Sequence, residues 1–407
     1  VIIRTTMRAW LSSIALTLLL GQASGFAFAA EPPPATTRAA ADVEVAIVKI
    51  EPGPTRVSGK INNVSAADLF FKLAQQANVG IVAHDGSWDD PTLAGATFSA
   101  EWENQPLWDV INEACETTGL RPSIDASGSG LPRINLQRGP AKTPVAVDGP
   151  VLIRPQRLGR TASISYADGK RQEDQVKLSL TVLLEPKLLK YAIVGPATID
   201  KAEDENGKAI PPIARPPEDP RNMRFGEPSI ALFTYPPKMG PAKAGRKFAV
   251  VRGSVPLQIA KEIAIVTFND PFANPREMTA KIGPHTLILK KPTGDAKRGY
   301  NVNLRLERGD VAKAAPDDNR PDPAADLHWA MASRPIGRFG ASIVMIGPKS
   351  ETSQNGGSAG WDNKEAHTEL HFSSRQPGDE PTALRVELPV SFSPAQAKFE
   401  FKDLPLP

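Results

Sequence analysis

The sequence predicts an α+β N-terminal domain, two helices on a small sheet, followed by an all-β region of two β-sandwich domains. Three observations predict it. Two amphipathic stretches with helix-ending residues recur at a 41-residue offset inside residues 55–138. From Val151 onward, short runs alternate apolar and polar residues with the period of two that marks a half-buried strand. The 40 prolines fall between these runs, at about twice ordinary usage, which favours many turns over long helices.

The N-terminal elements come first. Arg4 and Arg8 precede the apolar run Ala9–Leu20, which only Ser12, Ser13 and Thr17 interrupt, and Ala27-Phe28-Ala29 offers small residues for cleavage. That order predicts a secretory signal peptide over 1–29. The run is about half of the ~20 residues a spanning helix needs, and no cysteine follows it to carry a lipid. Taking Met7 as the start leaves the reading unchanged. The expected product is periplasmic or secreted to the cell surface, without stable membrane insertion after cleavage. Removing Arg4 and Arg8 leaves 46 basic against 45 acidic residues, so no electrostatic footprint for nucleic acid is expected. Cys115 is the single cysteine. It excludes an intramolecular disulfide and reads as a small buried hydrophobe on a helix rather than a nucleophile.

Residues 30–54 are expected to form a flexible leader, with Val43–Ile50 as a candidate strand. In residues 55–138, Ser65 is an N-cap with Asp68 three residues on. Ala66, Leu69, Phe70, Leu73 and Ala77 make one apolar helix face, and Asn78 suits the left-handed helix end. The same grammar returns with Pro106 in the first turn, Leu107, Val110, Ile111 and Ala114 on the face, and Gly119 at the end. Val79–Ala83 and Leu120–Asp125 follow the helices as strands. Ala96, Phe98, Ala100 and Trp102 alternate before the second helix, and Pro132–Gln137 is a last strand.

Two stretches carry a resemblance to a known family. They are Lys60-Ile61-Asn62-Asn63-Val64-Ser65-Ala66-Ala67-Asp68-Leu69 and Thr97-Phe98-Ser99-Ala100-Glu101-Trp102-Glu103-Asn104-Gln105-Pro106-Leu107-Trp108-Asp109-Val110-Ile111, with Gly119-Leu120 ahead of the final strands. The unit resembles the short N-terminal domain shared by secretins and signalling TonB-dependent receptors. The resemblance covers residues 55–138 and implies a periplasmic protein-interaction module. Nothing after it looks like a secretin pore or a TonB plug and barrel.

Gly139–Pro150, with Pro140, Pro144, Gly149 and Pro150, reads as a linker. Strands are expected at Thr161–Tyr166, Val176–Glu185, Tyr191–Asp200, Ile230–Tyr235, Phe248–Val255 and Ile259–Phe268. A second set is expected at Met278–Ile282, His285–Lys291, Tyr300–Glu307, Ser342–Ile346, His367–Ser373, Ala383–Leu388 and Ala397–Phe401. Two sandwiches, 151–272 and 273–407, fit this count, and their general pattern resembles Ig-like modules of secreted bacterial proteins. Asp310–Asp326 reads as a long exposed loop.

Candidate chemistry is sparse. His367, Glu369 and His371 share one face of a strand, and two imidazoles with a carboxylate are zinc-ligating types. The same phase is also that of a strand with a polar outer face. Gly356-Gly357-Ser358-Ala359-Gly360 matches Gly-x-Ser-x-Gly, but lacks the apolar strand before it and the helix after it that a nucleophile elbow needs, so a flexible hairpin loop is expected. No phosphate-binding Gly-Lys-Ser/Thr loop occurs, and no cofactor is expected. Trp88, beside Asp85, Asp89 and Asp90, and Trp108, one position off the apolar stripe, are candidate partner-binding aromatics, or else lids on a small core. The expectation is a non-enzymatic interaction protein that docks an envelope protein, a secretion or transport component. The alternatives are a carbohydrate-binding or adhesive protein and a metal-dependent hydrolase centred on His367, Glu369 and His371.

Overall fold

Alternation of apolar and polar residues dominates the chain after residue 140, and strands dominate the structure. A computed structural model describes residues 42–83, 97–125, 133–139, 143–161, 175–188, 191–213, 229–234, 247–309, 343–353, 356–361, 365–376 and 378–406. The expected signal peptide, Trp88 and the loop 310–326 lie outside the described residues.

The N-terminal elements are β1 (Val43–Lys49), β2 (Arg56–Ser65), α1 (Ala66–Ala77), β3 (Gly80–Ala83), β4 (Thr97–Pro106), α2 (Leu107–Thr118), β5 (Leu120–Asp125) and β6 (Arg133–Arg138). Next come β7 (Ala146–Asp148), β8 (Val151–Thr161), β9 (Gln175–Leu184), β10 (Tyr191–Ile193), β11 (Thr198–Asp204), β12 (Ser229–Thr234) and β13 (Lys247–Asn269). The last are β14 (Met278–Ile282), β15 (His285–Leu289), β16 (Thr293–Asp295), β17 (Gly299–Glu307), β18 (Ile343–Ile346), β19 (Glu351–Ser353), β20 (Gly356–Trp361), β21 (Glu365–Phe372) and β22 (Ala383–Pro405).

Helix α1 begins, and both helices end, where their chemistry dictates. Helix α2 starts one residue after Pro106, which stands at the N-cap rather than in the expected first turn and makes no side-chain cap hydrogen bond. The Ser65 hydroxyl accepts the Asp68 N–H, and Asn78 and Gly119 close α1 and α2 in the left-handed conformation. The sequence pattern suggested one sheet beneath both helices. The structure instead has two: β2 pairs with β4, and β3, β6 and β5 form a separate three-stranded sheet. Both helices touch both sheets, so the apolar stripes Ala66, Leu69, Phe70, Leu73 and Leu107, Val110, Ile111, Ala114 are buried in one core.

This small unit is internally two-fold. The elements β2–α1 and β4–α2 are offset by 41 residues, and their strands share one burial pattern. The register obeys the same symmetry. Gly59 faces Trp102 as Ala100 faces Ile61, and Val57 faces Gln105 as Phe98 faces Val64, with Lys60 and Glu101 paired on the axis. Asn63 and Asn104 each take positive φ at symmetric register shifts. The Asn63 N–H donates to Ser99 Oγ at 2.9 Å, and its mate Asn104 donates to Ser58 Oγ at 2.8 Å.

The remaining strands build a seven-stranded sheet around β13 and β22, a four-stranded sheet (β12-β9-β8-β7) and a six-stranded sheet around β17. The strands β13 and β22 are each 23 residues long, about 75 Å at the usual rise. Each passes through two hydrophobic clusters. Phe248–Ile259 and Ala397–Leu404 pack with β8–β12, whereas Ala264–Phe268 and Leu384–Leu388 pack with β14, β15, β17, β18 and β21.

Two expected strand pairs therefore merge across their prolines. Pro256 is tolerated because its carbonyl accepts the Val194 N–H, so its missing N–H points to the same side, in the gap between β10 and β11. The expected Tyr191–Asp200 strand is conversely split into β10 and β11. The segment expected as a linker also departs from that reading: its residues 146–148 form β7, and Asp148 accepts the Lys398 N–H at 2.7 Å. The candidate strand at 43–50 is β1, which pairs with β13 in continuous register.

Candidate functional site

The small α+β unit is fixed to the β body by buried polar contacts. Glu185 is 0 % exposed. Its carboxylate accepts the Thr55 N–H at 2.9 and 3.0 Å and the Thr55 hydroxyl at 2.6 Å, and Lys187 Nζ lies 3.5 Å away. Thr55 in turn accepts the Leu107 N–H, so one carboxylate ties together the start of β2 and the first residue of α2. Leu152 and Leu183 extend from the β body into the core of the small unit.

Trp108 belongs to this joint. It is 0 % exposed, and its indole N–H donates to the Pro150 carbonyl at 2.9 Å. This corrects the expectation of a partner-binding aromatic. Helix α2 is covered by two sheets and also by the Pro150–Leu152 segment, so a position beside the apolar stripe is buried as well. Cys115 is buried as expected. Burial pushes its thiol up to about 12, which leaves no thiolate at neutral pH for nucleophilic chemistry.

Among the described residues of the unit, the exposed aromatic is Phe71, 59 % exposed on the outer face of α1. Asp68, Lys72 and Gln75 share that face. Phe71 was not among the residues singled out from sequence, yet it was recognisable as an apolar residue off the stripe of Ala66, Leu69, Phe70 and Leu73.

The face of β21 has the expected phase: His367, Glu369 and His371 are exposed, and Ala366, Thr368, Leu370 and Phe372 are buried. These three residues do not form a metal centre, which corrects the zinc reading. Alternate residues on a strand lie about 6.6 Å apart, so His367 and His371 are separated by about 13 Å, far beyond a shared coordination sphere. Among the described residues, no cluster of three or more His, Cys, Asp or Glu side chains is arranged to hold a metal ion. The His371 Nδ1 is instead hydrogen-bonded to Asn301 Oδ1 on the neighbouring strand.

The Gly-x-Ser-x-Gly segment is strand β20, not a hairpin loop, and Ser358 faces Glu369 across the ladder. Its glycines suit the close approach of β21. A Cβ at Gly357 would meet the Glu369 carbonyl at 2.3 Å, and one at Gly360 the His367 ring at 2.8 Å. A paired strand on both sides of Ser358 lacks the strand-to-helix turn of a nucleophile elbow.

An open polar pocket of about 770 Å³ lies beside His371, lined among others by Asp295, Arg298, Tyr300 and Asn301. Tyr300 is buried, edge-on to Phe272 at 4.7 Å. It therefore presents no free ring face for stacking on a sugar.

Comparison with protein-family models, with curated proteins and with solved structures finds no match for this chain. No helix among the described residues is long and apolar enough to cross a membrane.

Proposed function

We infer that this protein is an exported, non-enzymatic interaction protein of the bacterial envelope, which docks an envelope protein through its small α+β unit. The observation that carries this reading is Phe71, a large apolar side chain held in water on a helix whose opposite face is fully buried. Aromatic residues, phenylalanine included, are enriched at protein interfaces relative to the rest of the surface. The element order strand, helix, strand, strand, helix, strand, strand supports the resemblance to the short N-terminal domain of secretins and TonB-dependent receptors. That resemblance implies a secretion or transport component as partner.

We read the two clusters of the β region as two sandwich-like bodies that share strands β13 and β22. In this reading they form a rigid support, and the Glu185–Thr55 and Trp108–Pro150 contacts carry the docking face in a fixed orientation. Preorganisation of that kind lowers the ordering cost of association.

The test is affinity capture from envelope extract with the full chain and its Phe71→Glu variant. The substitution is on the surface and leaves the core intact. The reading expects a protein retained by the wild type and lost with Phe71→Glu. Equal retention by both would remove the α1 face from the account.

A further inference from the structure

Strand β1 is unusual among the strands of the molecule. It ends the seven-stranded sheet, and the whole stretch Glu44–Lys49 is exposed on both faces. Val45 is 44 % exposed, Ile47 53 % and Val48 44 %. Edge strands are ordinarily guarded by a proline, a bulge or an inward charge. The stretch Val45–Val48 carries none of these, and its register on β13 is unbroken.

The hydrogen bonds at its ends reveal which backbone groups turn away from β13. The Asn269 N–H donates to the Asp42 carbonyl at 3.0 Å, and the Ile50 N–H donates to the Lys261 carbonyl at 2.7 Å. In an antiparallel pair the bonded residues alternate, so residues 44, 46 and 48 also face β13. Val43, Val45, Ile47 and Lys49 therefore direct their N–H and C=O groups to the open edge.

We propose that this edge is the interface for a second copy of the chain, joined through antiparallel β1–β1 pairing about a two-fold axis at Ala46. The alternation of edge-facing groups requires residues opposite one another to be both odd or both even. Centring on Ala46 meets that condition and overlaps all seven residues. Val45 then faces Ile47 of the second copy, Glu44 faces Val48, and Lys49 faces Val43, so no like charges oppose. The axial pair is of the non-hydrogen-bonded type, where Cα atoms come closest, about 4.5 Å. Alanine, the smallest residue of the strand, occupies that place. A formal net charge of +3 over 407 residues gives little repulsion between copies. The pairing leaves the α1 face uninvolved and is independent of the docking role.

A symmetric disulfide tests the register. The close axial spacing falls within the range of about 4.4–6.8 Å that a disulfide spans, and the native Cys115 is buried. Under mild oxidation the full chain with Ala46→Cys is expected to form a covalent dimer, and Val45→Cys, displaced from its own mate, is not. Sedimentation velocity should show a dimer for the wild type and its loss with Ile47→Lys, a change confined to an exposed side chain. A wild type that stays monomeric at the highest attainable concentration would overturn the proposal. So would equal cross-linking at positions 45 and 46, or a dimer that survives Ile47→Lys.

Discussion

Arg375 and Asp379 illustrate how single residues hold the β region in shape. Both are buried and lie 3.4 Å apart. The Arg375 guanidinium donates to the Met345, Ser350 and Asp379 carbonyls and to Thr352. The Ser350 hydroxyl and the Lys349 N–H donate to the Asp379 carboxylate. The Ser350 hydrogen bond is the largest influence on that carboxyl and holds its pKa below the ordinary value of 3.8, with the Lys349 N–H and Arg375 adding to the effect. A lowered carboxyl pKa contributes stability above the unfolded value and loses it as pH falls through the folded value. Ser350→Ala should raise the folded pKa toward its ordinary value. The acid-unfolding midpoint, followed by circular dichroism, is therefore expected at higher pH in the variant. An unchanged midpoint would show that this clamp does not limit acid stability. Residue-scale readings from the sequence were uneven. Cys115 and Trp102 were legible as core because they continue apolar faces. Trp108 was not, because its burial depends on Pro150 and Leu152, more than 40 positions along the chain.

At the scale of elements, the most regular feature is the repeated β2–α1 and β4–α2 pair. Asn63 and Asn104 take φ of 53° and 49°, a conformation that costs most residues about 1–2 kcal/mol and that asparagine and glycine accept more readily. Asn104→Gly should therefore leave the urea midpoint close to wild type, and Asn104→Ala should lower stability by about 1 kcal/mol. Equal losses for both would show that the asparagine side chain matters rather than the backbone. Helices were well marked in the sequence, since their caps and apolar stripes are local signals. The long strands were not. Pro256, Pro389 and Pro394 read as breaks, because a sequence does not reveal which sheet neighbour would be deprived of a hydrogen bond. Pro256 escapes that loss by lying between β10 and β11. The separation of β2–β4 from β3–β6–β5 was equally hidden, since pairing partners are non-local. The candidate metal face failed for a simpler reason: alternation brings three side chains to one side of a strand but keeps them too far apart to meet.

For the whole molecule, the account rests on a rigid body that carries an exposed helix. The small unit shares Leu152 and Leu183 with the β region, and β13 and β22 thread both β clusters. A partner engaging α1 would thus act on a single braced structure, not on a tethered module. The most direct measurement places a photo-crosslinking amino acid at Phe71 in the full chain, produced in its native host, with Lys281 on β14 as a control position. The account predicts a discrete adduct with one envelope protein from position 71 and none from position 281. Adducts of the same size and yield from both positions, or none from position 71, would contradict it.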